Sequence, residues 1–343
     1  MIANEQERSQ PAPVGRPPDG RVLGRSGIDV GAMGLGCWTI GGPFTRGGRP
    51  LGWGAVEPRI ARDALRAALD AGIRFFDTAD VYGAGRSEQL LGSVLAGRRD
   101  GLVLATKFGN VFDPRTRAVS GTDMRRAHVE RACEDSLRRL RTDRIDLYQL
   151  HLSRCELGAL PELIETLEDL VVAGRIRAYG WSTDDPDRAA AMAAGPHCAT
   201  AQFALNLLQR NDAMLALCER LRLGPIARSP LAMGILSGRF RDGVRLADDD
   251  VRRREWDPAR GPQRTWPALV ERVRELLTAD GRSLVQGAIG WLWAHDPTVV
   301  PIPGFRDAAQ VAELAASREH GPLPAAEVAL IERELADVLD GAA

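Results

Sequence analysis

From about residue 31 onward, eight short runs rich in apolar and β-branched residues alternate with longer stretches whose apolar positions recur every three or four residues. Strands joined by helix-length crossovers pair in parallel, since a tight hairpin reverses the chain. The runs are 32–38, 73–78, 102–107, 145–151, 178–182, 199–205, 224–229 and 299–303. Between them, Val129, Cys133, Leu137 and Leu140 mark one apolar helix stripe, and Leu160, Leu163, Ile164, Leu167, Leu170 and Val171 mark the next.

Eight strand–helix pairs spread over about 300 residues fit an α/β fold, a closed (β/α)8 TIM barrel of roughly 250 residues plus insertions. A doubly wound sheet is the alternative. Residues 21–30, with Gly24 and Gly27, are expected to form an N-terminal β-hairpin plug at the bottom of the barrel. Residues 239–263 read as an Arg/Asp-rich insertion after the seventh strand, and 324–339 as a C-terminal helix. Residues 1–20, with four prolines among polar residues, are expected to be a disordered arm, leaving 21–343 as a single domain.

A formal net charge of −1 argues against a nucleic-acid binder, which needs a dominant basic face. No stretch approaches the roughly 20 apolar residues of a membrane span, and the first 30 residues lack a signal core, so a cytoplasmic protein is expected. The five cysteines are an odd, scattered set that forms no CxxC, which points to reduced thiols and no metal site. One count is more pointed: the 45 basic residues comprise 44 arginines and a single lysine, Lys107. Arginine fills every general surface role, so the lone lysine is suspected of acting as a compact ammonium in a pocket.

In a parallel barrel, reactive groups collect at the C-terminal ends of the strands. Asp77 ends the second run and Tyr82 follows in its loop, Lys107 ends the third, and His151 ends the fourth. Later runs end in Ser182-Thr183, carry Gln202, or lead into Arg228-Ser229-Pro230 and Gly304-Phe305-Arg306. A carboxylate beside a lysine fixes the ammonium, and an ammonium beside a phenol is expected to lower its pKa from about 10. Such a phenol is a general acid toward a carbonyl oxygen, which a histidine can orient and polarise. A hydride donor would complete a reduction. Neither 83–88 nor 34–39 completes the dinucleotide fingerprint, so a dinucleotide would have to be held by barrel loops.

The segment 72–83, with Asp77 and Tyr82, followed by Ser87-Glu88, resembles the diagnostic signature of the aldo-keto reductase family. The segments 136–151, 229–238 and 302–306 resemble further family motifs in the same order, and the resemblance covers about residues 21–339. It implies an NADP-dependent enzyme of bacterial type, related to the potassium-channel β-subunit branch, with catalytic residues Asp77, Tyr82, Lys107 and His151. It also implies NADPH lying across the barrel mouth, with Trp38, Asp77 and Arg228 near the nicotinamide, and Ser182, Thr183 and Gln202 at its carboxamide. Ser229, Pro230, Leu231, Gly234 and Arg239 would surround the pyrophosphate, and Gly304, Arg306, Gln310 and Glu313 the adenosine and its 2′-phosphate. An arginine near the ribose favours NADP over NAD.

Thr183, Arg228 and Leu314 stand where many members have Asn, an aromatic residue and Asn. The charge of Arg228 is expected to disfavour an oxidised nicotinamide and so to bias the enzyme toward reduction. The implied activity is reduction of a small-molecule aldehyde or ketone to an alcohol, with hydride from nicotinamide C4 and the proton from Tyr82. A homo-oligomer is left open. The alternatives are an NADP(H)-binding regulatory or scaffold protein with slow catalysis, and a Schiff-base aldolase or lyase using Lys107. Substrate choice is assigned to the segments 40–53, 109–124 and 239–263. Trp38, Trp53, Phe112, Trp256 and Trp266 either line a pocket or pack.

Overall fold

In the computed structural model, residues 20–239, 246–255 and 262–339 are described. The alternation becomes eight strands: β1 (Gly34–Gly36), β2 (Phe75–Asp77), β3 (Val103–Phe108), β4 (Ile145–Leu150), β5 (Ile176–Ser182), β6 (Cys198–Ala204), β7 (Gly224–Arg228) and β8 (Val300–Pro301). They pair in parallel in sequence order, and a bridge between Gly36 and Gly304 brings the last against the first. This is the expected (β/α)8 barrel. A doubly wound sheet would reverse its strand order, and no reversal occurs.

Strand bounds shift by up to two residues from the expected runs, and three departures stand out. Trp38 does not end β1 but opens a one-turn helix, Trp38–Gly41. The eighth run keeps only two residues as strand, and the insertion after β7 contains a short helix, Arg252–Glu255.

Period-two alternation decides what faces the barrel axis. Phe75, Val103, Ala105, Leu147, Ala178, Ala199, Ile226 and Val300 form one buried cluster together with Leu23, Ile28 and Val30. Phe76, Leu104, Phe108, Tyr148 and Leu150 belong instead to the larger cluster shared with the surrounding helices. The plug is a minimal hairpin: an antiparallel bridge Val22–Asp29 around a 3-10 turn, Gly24–Ser26. It delivers Leu23, Ile28 and Val30 to the axial cluster.

Outside the strands, the helix Arg126–Leu140 buries Val129, Cys133, Leu137 and Leu140, the stripe its spacing predicts. The helix Leu160–Val172 buries Leu160, Leu163, Leu167 and Leu170. Asp185, Asn211, Ser283 and Asp307 cap later helices by accepting backbone N–H bonds. The C-terminal helix runs Ala325–Leu339. Among the described residues, no helix is long and apolar enough to cross a membrane.

A second sheet does not follow from the alternation. Thr45–Arg46 and Arg49–Pro50, from the loop after β1, join Asn110–Asp113 and Ala118–Thr122, from the loop after β3, in a four-stranded sheet. Residues of all but the Arg49–Pro50 strand line the cavity at the barrel mouth.

Candidate active site

The inward parity of β2, β3 and β4, continued to their C-terminal ends, presents Asp77, Lys107 and Gln149, and β6 adds Gln202. These four form a polar layer above the apolar axis. Lys107 Nζ donates to Asp77 Oδ1 and, at 2.9 Å, to the Thr78 carbonyl oxygen, and it stands 3.4 Å from the Tyr82 hydroxyl. Asp77 Oδ2 accepts from Gln202 Nε2 at 2.8 Å and from Gln149 Nε2 at 3.1 Å. Donors from three strands thus satisfy a carboxylate that would be costly to bury alone.

Tyr82 sits on the loop after β2. Gly83, Ala84 and Gly85 adopt φ of 61°, 55° and 95°. A Cβ on Gly83 would lie 2.0 Å from the Gly41 carbonyl oxygen, so the turn beneath Tyr82 requires glycine there. Behind the loop, the Thr78 hydroxyl donates to Ser87 Oγ at 2.8 Å, and Ser87 donates to the Cys37 carbonyl oxygen at 2.9 Å. The phenol ring stacks on Trp38, with centroids 5.9 Å apart, and meets the His151 ring edge-on at 5.6 Å.

Burial pulls the Lys107 ammonium down, but Asp77, helped by Tyr82, more than offsets it, so the net shift is upward. Tyr82 also moves up, because burial outweighs the opposing pull of Lys107. The expectation that Lys107 brings this phenol below its ordinary value is therefore corrected. Dry surroundings penalise the phenolate more than one ammonium, already shared with Asp77, can offset. His151 lies well below the ordinary histidine range, since burial and then the charges of Lys107, Arg228 and Arg46 disfavour the imidazolium. Its Nδ1 is buried with no hydrogen-bond partner among the described residues. A protonated phenol and a neutral, unengaged imidazole therefore stand side by side.

A cavity of about 810 Å³ opens over this layer, within the range of ligand sites. Its lining includes Asp77, Tyr82 and His151, while Lys107 lies beneath it. Trp38, Ser182, Thr183, Gln202, Arg228, Ser229, Pro230, Leu231, Gly234, Arg239, Gly304, Arg306, Gln310 and Glu313 all line the same cavity. Several already hold one another: Arg239 lies 3.7 Å from Glu313, and Gln310 donates to its helix cap, Asp307, at 2.9 Å. Arg306 donates to the carbonyl oxygens of Trp53 and Ala55.

Arg228 is where the expectation changes most. Its guanidinium pairs with Asp184, whose other oxygen accepts from the Ala204 N–H at 2.7 Å. A guanidinium met by a carboxylate presents less than a bare charge, so the predicted like-charge bias against an oxidised nicotinamide is weakened, although the same charge still acts on His151.

Sequence reasoning overlooked Gln149, Asp184, Asn110, Arg46, Arg154 and Arg252. Gln149 had a signal, a lone amide at inward parity in an apolar strand. Asn110 had none: its Nδ2 donates to the His151 carbonyl oxygen at 3.1 Å, and its Oδ1 accepts from Arg46 at 2.6 Å, which joins three loops. Trp38 and Trp53 line the cavity. Phe112 packs behind it with Val81, Tyr82 and Val119, and Trp266 packs against the outer core. Trp256 lies outside the described residues.

A family model described as the aldo/keto reductase family matches residues 32–335. The 6-dehydroglucose reductase of Novosphingobium aromaticivorans is 34% identical over 312 residues, covering 87% of this chain and 89% of that protein. An aldo-keto reductase of Bacillus subtilis is 29% identical over 295 residues, 84% and 86% of the two chains. Among solved structures, a glycerol dehydrogenase from Gluconobacter oxydans superposes with a TM-score of 0.81 at 28% identity, over 93% of this chain and 95% of that one. An aldo-keto reductase from Klebsiella pneumoniae, solved in complex with NADPH, gives 0.66 at 29% identity, over 91% and 94%. With the family model spanning the barrel from before β1 into the C-terminal helix, this chain is an oxidoreductase that belongs to the aldo/keto reductase family.

Proposed function

We propose that the enzyme reduces an aldehyde or ketone to the alcohol with NADPH, and that Tyr82 gives the proton. The observation that carries this reading is the phenol 3.4 Å from a fully buried ammonium, with a neutral imidazole against its ring, on the floor of one cavity.

The lining suits a phosphate-bearing dinucleotide. After β7, Ser229, Ala232, Met233 and Gly234 adopt φ of 52°, 47°, 55° and 99°. Left-handed non-glycine residues mark stored strain, which clusters at turns that clamp ligands. Arg239, Arg252 and Arg306 share the lining. The hydrogen bonds of Arg306 go to uncharged carbonyl oxygens, a state suited to receiving a 2′-phosphate. Trp38, Ser182, Thr183 and Gln202 would hold the nicotinamide end. Ser229, Pro230, Leu231, Gly234 and Arg239 would hold the pyrophosphate, and Gly304, Arg306, Gln310 and Glu313 the adenosine end.

When bound, NADPH supplies the hydride to the carbonyl carbon. Tyr82 Oη gives its proton to the carbonyl oxygen as negative charge develops there, and His151 orients that oxygen with a hydrogen bond. Lys107, locked by Asp77, stabilises the phenolate left on Tyr82. The raised Tyr82 pKa keeps the proton in place until charge appears beside it. A Schiff base at Lys107 would need a neutral amine, whereas Asp77 and Tyr82 favour its ammonium. Tyr82→Phe is expected to lower kcat by about 100-fold or more while NADPH fluorescence titration stays near wild type. Near-normal turnover would refute the assignment.

A further inference from the structure

Six arginines line the cavity against three carboxylates, Asp77, Asp184 and Glu313. Each carboxylate is taken, by Lys107, Arg228 and Arg239 respectively. Arg252 pairs with Asp250, and Arg306 lies on the side assigned to the dinucleotide. Arg46 and Arg154 are left, and neither forms an ion pair with a described residue.

Both stand on the histidine side. Arg154 follows His151 by three residues in the loop after β4. Arg46 comes from the second sheet and is seated by Asn110, which is only 7% exposed and is itself tied to the His151 carbonyl oxygen. Asn110 thus acts as a buried bracket that ties a cation to the backbone of His151 at the cavity wall. Being neutral, it cancels none of the Arg46 charge. That charge is among those that hold His151 neutral. Uncompensated guanidinium groups at a concave mouth gather anions and offer them charge-assisted donors.

We propose that the carbonyl substrate carries an anionic oxyacid group, a carboxylate or a phosphate, which Arg46 and Arg154 receive while the carbonyl oxygen lies between Tyr82 and His151. This rests on the reductase reading for the reacting end and adds the chemical class of the other end. The anion does not react. The carbonyl gains a hydride from NADPH and a proton from Tyr82, so a hydroxy acid or hydroxyalkyl phosphate leaves together with NADP+.

The test uses the full-length enzyme with two matched pairs, 4-oxobutanoate against butanal and glyceraldehyde 3-phosphate against glyceraldehyde. NADPH oxidation is followed in wild type, Arg46→Gln, Arg154→Gln and the double variant. Wild type is expected to favour the anion in at least one pair by about ten-fold or more in kcat/KM, chiefly through KM, as fits charge-assisted binding. The double variant is expected to lose that preference, and the pair that shows it separates carboxylate from phosphate. Calorimetric titration of 4-hydroxybutanoate and of glycerol 3-phosphate into NADP+-saturated protein should weaken in the double variant for the same class of anion. Turnover of the neutral aldehydes with no anion preference in either pair would overturn the inference and leave the reductase reading standing. A preference that survives in the double variant would also overturn it. No NADPH oxidation with any of the four compounds would overturn the reductase reading, and this inference with it.

Discussion

Replacing Lys107 by arginine keeps a single positive charge and changes only its shape, so it tests why the chain's one lysine stands where it does. Lys107 is 0% exposed, and its ammonium reaches three acceptors: Asp77 Oδ1, the Thr78 carbonyl oxygen and the Tyr82 hydroxyl. A guanidinium brings five N–H donors in a planar fork, so at least two would have no acceptor in this site. An unsatisfied buried donor costs about 1–3 kcal/mol, and overpacking a filled core adds about 1–3 kcal/mol. Even the low ends of these ranges place the loss near about 3 kcal/mol.

The larger effect is expected in catalysis. The fork would push the charge out of line with the phenol, and general acid catalysis contributes about 10²–10⁴-fold. Lys107→Arg should therefore lose about 100-fold or more in kcat, read as loss of NADPH absorbance under saturating aldehyde. Denaturant melts would establish that the variant is folded at the assay temperature, and NADPH fluorescence titration that the cavity still binds. Lys107→Met is the companion, because Gln149 and Gln202 still donate to Asp77 without the ammonium. Its residual activity should be as low as that of the arginine variant. An arginine variant within a few-fold of wild type would show that charge alone suffices, and the geometric argument would fail.

Three further outcomes follow from the same geometry. Because His151 is held well below its ordinary value and Tyr82 above its own, kcat/KM should stay flat through about pH 6.5 and fall only at alkaline pH, above about 10, as the phenol loses its proton. A limb centred on the ordinary histidine value would contradict this. Asp80 is buried, with Oδ1 unpartnered among the described residues, and burial followed by the charge of Glu88 holds its carboxyl well above the usual range. An acid raised in this way binds more protons folded than unfolded, so stability falls as pH rises from about 3.9 toward the folded value. Asp80→Asn should therefore melt higher than wild type at neutral pH, with the gap closing in acid, and a lower melting temperature at neutral pH would count against it. Glu88 is buried and accepts from Arg139 Nε and from the Thr106 hydroxyl, each at 2.6 Å. Glu88→Ala should cost about 3–5 kcal/mol by denaturant unfolding, because it strands the guanidinium of Arg139.

The eight strands were legible because side-chain direction in a strand has period two, so the chain itself records which residues share a face. Phe75 and Phe76 face the axis and the helices respectively, and the same parity carried two residues on gives Asp77. Continuing it through Val103, Ala105 and Lys107 places the ammonium beside that carboxylate. Gln149 obeys the same rule and was missed because an amide carries less obvious chemistry than a charge.

What the sequence determined by itself was the local and periodic part: the barrel, the strand ends that carry Asp77, Lys107 and His151, and the placement of Tyr82 in the loop after the second strand. Tertiary structure decided whatever depends on segments far apart in the chain meeting. The second sheet exists because residues 45–50 reach 110–122, and its strand pairing leaves no period to read in either loop alone. Arg228 faces Asp184 across 44 residues, and Asn110 ties Arg46 to the backbone of His151. The direction of the Tyr82 shift belongs to the same class. Sequence placed an ammonium beside the phenol, but only the packed structure shows how dry that neighbourhood is, and the loss of solvent outweighs the neighbouring charge.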